Sequence, residues 1–200
     1  MLRHTFAGLA ALVTASVSMP VARAEPFVLD KGYTAVIFSW SHLGLSRQQA
    51  RFNAIEGTVD IDPQNPEASS VDIAIRTASV QSGIDTFDRI LRSSDYFDAT
   101  THPAITFRSS SVKRTSEVTA DVSGELTIRG KSLPVMLAVT LNQFGTHPSG
   151  AANPNYANRK VAAFSAKTSV SRSAWGMGRG APLVSDEVDI TIETELVSKE

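Results

Sequence analysis

The chain of 200 residues contains no cysteine. No disulfide framework, thiolate nucleophile, iron–sulfur cluster or cysteine-ligated zinc can form, so the fold stands without covalent staples. Charge is scarce and balanced: 19 Lys and Arg face 20 Asp and Glu, together 20% of the chain, with a formal net charge of -1. A nucleic-acid binder needs a basic stripe, so nucleic acid is not an expected partner. After residue 24 no apolar run approaches the ~20 residues of a membrane-spanning helix, so no integral membrane segment is expected there. Apolar residues, by contrast, make up 42% of the chain, which favours a folded core over disorder. The length suits one domain and leaves little room for a second.

Residues 1–24 read as an export signal. Arg3 and His4 give a short basic start, Phe6–Met19 is apolar or small throughout, and Ala22-Arg23-Ala24 offers the small-x-small pattern of signal peptidase. Cleavage before Glu25 is expected, leaving residues 25–200 as a single domain exported to a periplasm.

Beyond the signal the dominant period is two. Thr34, Val36, Phe38, Trp40 and His42 alternate with more polar or smaller neighbours, as do Ile55, Gly57, Val59 and Ile61. The pattern predicts eight strands, roughly 33–43, 51–61, 70–80, 104–113, 117–129, 133–143, 160–172 and 186–197, each with one buried face. One segment, Asp85–Phe97, has helical spacing: Phe87, Ile90 and Leu91 share a face, Asp88 and Arg92 form an i,i+4 pair, and Asp85 is the expected N-cap. It should lie between strands three and four. The Pro- and Asn-rich stretch 145–159 reads as a surface loop. An all-β, eight-stranded antiparallel barrel follows, just wide enough to be filled by side chains or to hold one small ligand. Small inward residues (Gly57, Ala120, Gly124, Ala162 and Ala166) either let the barrel narrow or leave a cavity.

No constellation for catalysis or metal binding emerges. His42, His102 and His147 share no ligating spacing, and His42 is expected to be a hydrogen-bonded residue at a strand end. There is no G-x-S-x-G elbow. The pairs Asp60/Asp62 and Asp186/Glu187 sit at turns, where Asp accepts backbone amides. Gly176–Gly180 joins no strand to a helix and reads as a mobile turn, not a phosphate loop.

A specific resemblance rests on ordered motifs: Tyr33-Thr34-Ala35-Val36-Ile37-Phe38-Ser39-Trp40-Ser41-His42-Leu43-Gly44-Leu45-Ser46, then Asp88–Asp98, His102–Ser109, Gly124–Gly130 with Pro134-Val135, Ser171–Met177, and Asp186-Glu187-Val188. Together they resemble the YceI-like family across nearly all of residues 25–200. The resemblance implies a lipocalin-like barrel in an exported bacterial protein, described for the family as polyisoprenoid-binding. It implies a carrier for a long isoprenoid amphiphile, a polyprenyl lipid or quinone, with no other cofactor. Where relatives often have His followed by Ser or Thr this chain has Tyr33-Thr34, and where they often have Asp-x-His-Leu it has Asp88-Arg89-Ile90-Leu91; if those histidines touch a headgroup in relatives, the resemblance implies another headgroup here, and whether it does is open. A ligand-free barrel acting as an envelope stress or interaction protein, and a lipid- or quinone-modifying enzyme, stay as alternatives; homodimerisation is open.

Period two places the larger inward side chains on the cavity wall: Phe38, Trp40, Phe107, Leu126, Ile128, Leu137, Phe164, Ile190 and Ile192, with Ala166 as a small member. Arg172 has two readings, a cation for a polar headgroup at the mouth, or a strut that pairs with a carboxylate and ties the last two strands. Trp175 and Met177 would form an apolar gate beside it.

Overall fold

The period-two segments fold as one antiparallel sheet that closes on itself. The computed structural model describes residues 24–199; the expected leader, Ala24 apart, lies outside the described residues. In chain order the strands are β1 (Glu25–His42), β2 (Ser46–Phe52), β3 (Ile55–Ile61), β4 (Ser70–Arg76), β5 (Val80–Gln81), β6 (Ala104–Arg114), β7 (Thr119–Ile128), β8 (Lys131–Thr146), β9 (Lys160–Ser171) and β10 (Glu187–Ser198). Neighbours run β10-β9-β8-β7-β6-β4-β3-β1, and β10 pairs with β1 to close a ring of eight. β2 pairs with the second half of β1, from Val36↔Phe52 to His42↔Ser46, and β3 with the first half, from Glu25↔Ile61 to Val28↔Thr58. β2 and β3 are thus the two halves of one expected strand, interrupted at Asn53-Ala54. β5 adds only two residues beside β2.

The helix departs from its expected place and length. α1 (Asp85–Arg92) follows β5 and precedes β6, because the expected strands 51–61 and 70–80 each break in two. It stops short of Phe97 because Ser93 turns extended, and the chain folds back so that the Phe97 amide donates to the Leu91 carbonyl (3.0 Å). Asp85 is not the N-cap; Ile84 occupies that position without a side-chain bond. Asp88 instead ties the helix start, its Oδ1 accepting from both the Ser82 amide and hydroxyl at 2.6 Å, while Arg92 lies 3.8 Å away as the i,i+4 partner. Burial alone raises the Asp88 carboxyl, but the Ser82 bonds and Arg92 outweigh it and hold the group below its ordinary value.

Three bulges reset which residues point inward. They lie between Leu29 and Thr34 in β1, Ser109 and Ser111 in β6, and Leu141 and Gln143 in β8. The β1 bulge is built on Asp30, whose Oδ1 accepts from the Gly32 amide (3.0 Å) and whose carbonyl accepts from the Thr34 hydroxyl (2.9 Å). The Tyr156 hydroxyl donates to Asp30 Oδ2 (2.6 Å), which pushes the phenol up to about 12. Tyr156 also stacks on buried His147, ring centroids 3.9 Å apart, so the 147–159 loop is clasped to the barrel wall.

Of the two roles open to the small inward residues, Gly57 and Gly124 take the first, letting the wall pack closely. A Cβ on Gly57, at φ +145°, would lie 2.1 Å from the Asp72 carbonyl of β4; one on Gly124 would lie 2.4 Å from the Arg108 carbonyl and 2.7 Å from the Phe107 ring. The Phe107 ring occupies the space beside Gly124. Ala162 is fully buried in a separate cluster with Phe27, Ile61 and Leu196 at one barrel end. Gly57→Ala is therefore expected to lose ~1–3 kcal/mol of stability, the range for overpacking, measured by denaturant unfolding; an unchanged midpoint would mean that the strands separate freely there.

Candidate functional site

The interior of the ring is hollow. A cavity of about 950 Å³ runs the length of the barrel, and nearly all of its wall is aliphatic or aromatic. Phe107, Leu126, Leu137, Phe164, Ile190 and Ile192 all face it, and all stay only half-buried although they lie inside the barrel. A filled core would have buried them. Strand registers stack the lining in tiers: Val36, Ile192, Ala166, Val139 and Ala120 are successive partners around the ring, and Phe38, Ile190 and Thr168 form part of the next tier. Thr34 and Thr194 bring oxygen to the wall, yet their hydroxyls bond each other at 2.9 Å, so the pair makes no demand on a ligand.

All thirteen residues expected at the site line this one cavity. Those on strands are placed by period two. Trp175 and Met177, both buried, close the wall beside Ile128 and Val188 at the end that carries α1. That end also holds an aromatic cluster: Phe38 lies 5.7 Å from Trp40, 5.4 Å from Phe52 and 5.6 Å from Phe97, and Trp40 lies 5.7 Å from Phe87. Phe52, Phe87, Phe97, Ile84 and Leu91 belong to the lining but not to the residues singled out from sequence. Phe52 is out of phase with Ile55, and the break at Asn53-Ala54 lets both point inward; Phe87 and Leu91 follow helical spacing, which a period-two search passes over.

The cavity reaches the surface at both ends. At the helix side its wall includes the exposed residues His42, Gln48, Ile84 and Ile90; at the other side it includes exposed Arg114, Ser116 and Glu117. The His42 ring, expected to be hydrogen-bonded, makes no such bond among the described residues and lines the mouth instead.

Residues 27–196 match the YceI-like domain. The chain belongs to the YceI-like family. It is 35% identical over 196 residues to a UPF0312 protein of Pseudomonas putida, covering 96% of this chain and 97% of that one, and 34% identical to one of Azotobacter vinelandii, covering 98% of each. Among solved structures, BcnA of Burkholderia cenocepacia superimposes with a TM-score of 0.72 at 26% identity, over 86% of this chain and 99% of BcnA. A Campylobacter jejuni YceI protein gives 0.70 at 25% identity, over 80% and 90%. A polyisoprenoid-binding domain from Saccharophagus degradans, implicated in plant cell wall breakdown, gives 0.64 at 14% identity over 88% and 99%, a likeness of fold alone.

Within this YceI-like barrel the two motif positions noted above, Tyr33 and Ile90, fall in unlike places. Ile90 lines the helix-side mouth, whereas Tyr33 is exposed in the β1 bulge and does not line the cavity. Arg172 touches the cavity wall, but its guanidinium is spent on backbone: Nε donates to Ser185 O (2.9 Å), Nη1 to Met177 O and to Arg179 O (3.0 Å), and Nη2 to Val184 O (2.9 Å). Four of five donors are used. The tie between the last two strands is therefore as the strut reading has it, but its partners are carbonyls, neither a headgroup nor a carboxylate. The Gly176–Gly180 segment is in consequence a tethered loop rather than a free turn. Asp186 completes the tether by accepting from the Ser173 amide (2.8 Å) and hydroxyl (2.7 Å); that hydroxyl bond, opposed by burial and aided by the amide and Arg172, holds its carboxyl below 3.8.

Arg172→Ala should cost ~2–4 kcal/mol, since charged donors are worth ~1.5–3 kcal/mol each and water recovers part; a melting temperature equal to wild type would refute the strut. The lowered carboxyls of Asp88 and Asp186 stabilise the fold at pH above 3.8, their ordinary unfolded value, and that contribution fades as pH falls below it. Melting curves taken down through that range should show the loss, and Asp186→Asn should flatten it; an identical pH profile in the variant would exclude Asp186 as a contributor.

Proposed function

We propose that this protein is a periplasmic carrier that holds the tail of a long isoprenoid lipid, a polyprenyl lipid or a quinone, in the barrel tunnel. The observation that carries the proposal is a cavity of about 950 Å³ bounded by half-buried apolar side chains along its whole length. That volume is at the upper end of small-molecule sites. Its shape is that of a tail: the 12 residues of β9 extend ~40 Å at ~3.3 Å each, or ~30 Å of barrel height once tilted. Each buried CH₂ is worth ~0.8 kcal/mol, so a five-carbon unit contributes up to ~4 kcal/mol before ordering costs are subtracted. The family's description as polyisoprenoid-binding supports the same ligand class, and the expected leader supports a periplasmic location.

Organic extraction of the purified protein followed by mass spectrometry should yield a prenyl lipid. Ala166, buried on the tunnel wall between Val139 and Ile192, gives the second test. Ala166→Phe should fill existing space, keep near-native stability and exclude long tails while retaining shorter ones. In a filled barrel it would instead cost ~1–3 kcal/mol. A destabilised variant together with a parent that extracts free of lipid would refute the carrier.

A further inference from the structure

The two mouths of the tunnel are made of different material. Eight large apolar side chains are exposed among the described residues, and five of them, Leu43, Leu45, Ile84, Ile90 and Leu183, stand on the three segments around the helix-side mouth. Leu45 is 82% exposed and Leu183 67%. The Leu43 amide donates to the Leu183 carbonyl at 2.7 Å, so two of these segments form one platform. At the opposite mouth the exposed apolar members of the wall are Val118 and Pro63, beside Arg114, Ser116 and Glu117. A collar of this kind exposes apolar area that a soluble surface has no reason to keep.

Ile84 and Ile90 belong to the collar and to the tunnel wall at once, so apolar surface continues without interruption from outside to inside. Charge adds a sign. The three segments, 43–47, 84–92 and 178–185, carry Arg47, Arg89, Arg92 and Arg179 against Asp85 and Asp88, in a chain whose residues 25–200, without Arg3 and Arg23, hold 17 basic and 20 acidic side chains. Arg92 is held by Asp88 and the Val80 carbonyl; Arg47 and Arg179 are paired with Asp189 and Asp95, but these two pairs are exposed, and such pairs are weak enough for a phosphate to replace the carboxylate.

We propose that this mouth is a docking surface for an anionic phospholipid bilayer: the leucine and isoleucine tips enter the interface, the arginines meet phosphates, and the tunnel opens directly onto the acyl layer. The proposal deepens the lipid-carrier reading and rests on it for its purpose. A tail that passes from bilayer to tunnel through such a seat never meets water, where each of its methylenes is penalised.

The test is co-sedimentation of the purified protein with vesicles of phosphatidylethanolamine and phosphatidylglycerol in equal amounts. Wild type is expected in the pellet, and Leu45→Glu/Leu183→Glu is expected to bind at least about ten-fold more weakly. Neither leucine lines the tunnel, so the lipid extracted from that variant should match wild type. Arg89→Glu/Arg179→Glu should weaken binding to these vesicles and not to pure phosphatidylcholine. Wild type left in the supernatant, or a leucine variant that binds as tightly, overturns the docking surface. So does a wild-type dimer that the leucine variant splits while neither form binds vesicles, because the collar then joins two copies. Vesicle binding by a wild type that extracts free of lipid overturns the carrier and leaves the docking surface standing.

Discussion

Everything in this molecule depends on the pairing of its first strand with its last. β1 and β10 run antiparallel from Phe27↔Ser198 to Ser39↔Asp189, bridging the two ends of the described chain. An open sheet of these strands would leave two edges of unpaired amides and carbonyls and an apolar face turned to water. Closure removes both problems at once: the edges satisfy each other, and the apolar face becomes an inside. With no cysteine to fasten the ring, this continuous ladder of backbone bonds is what replaces a covalent staple.

Closure alone yields an inside, not a cavity. The hollow comes from what the strands send inward: mostly branched aliphatics of middle size, with the small residues Ala120, Ala166 and Thr168 among them. Five aromatic side chains are gathered at one end, where Phe38, Trp40, Phe52, Phe87 and Phe97 pack on one another, while Phe107, Phe144 and Phe164 line the wall elsewhere. The same end is where the ladder gives out. β5 contributes only two residues beside β2, and α1 continues the wall there with Phe87 and Leu91 on its inner side. The tunnel thus has a strand-built shaft and one mouth built from a helix and two loops, and Arg172 gives the longer of those loops its shape by gathering four carbonyls.

The shaft was legible in the sequence because a half-buried strand writes its faces in alternation, and Phe38, Leu137, Ala166 and Ile190 needed nothing more. Phase was harder. Phe52 and Ile55 differ by an odd number yet both point inward, as do Leu141 and Phe144, because a break or bulge between them spends one extra residue; the extra residue carries no mark of its own. Contacts between distant backbones were illegible. Gly57 and Gly124 could be read as space or as close packing, because nothing in a sequence says that the Asp72 carbonyl or the Phe107 ring will stand where a Cβ would have to go. Arg172 read as a partner for acids because side chains are visible in a sequence and folded carbonyls are not. Asp85 looked like a cap on local chemistry alone, whereas the acid that holds the helix start, Asp88, does so through Ser82, six residues back.

A wall of this composition sets the terms on which any occupant is chosen. Along the shaft Thr34 bonds Thr194 and the guanidinium of Arg172 bonds backbone carbonyls, so neither rewards one headgroup over another inside the barrel. Discrimination within the shaft is then a matter of thickness and length, because each added methylene gains its transfer energy until the tunnel ends. Headgroup choice is confined to the rims, where His42, Gln48 and Ile90 stand at one mouth and Arg114, Ser116 and Glu117 at the other. Ile90 adds an aliphatic side chain to a mouth already apolar. The proposed carrier therefore lines its entry with aliphatic side chains, while the exposed charged members of the tunnel lining, Arg114 and Glu117, stand at the far mouth.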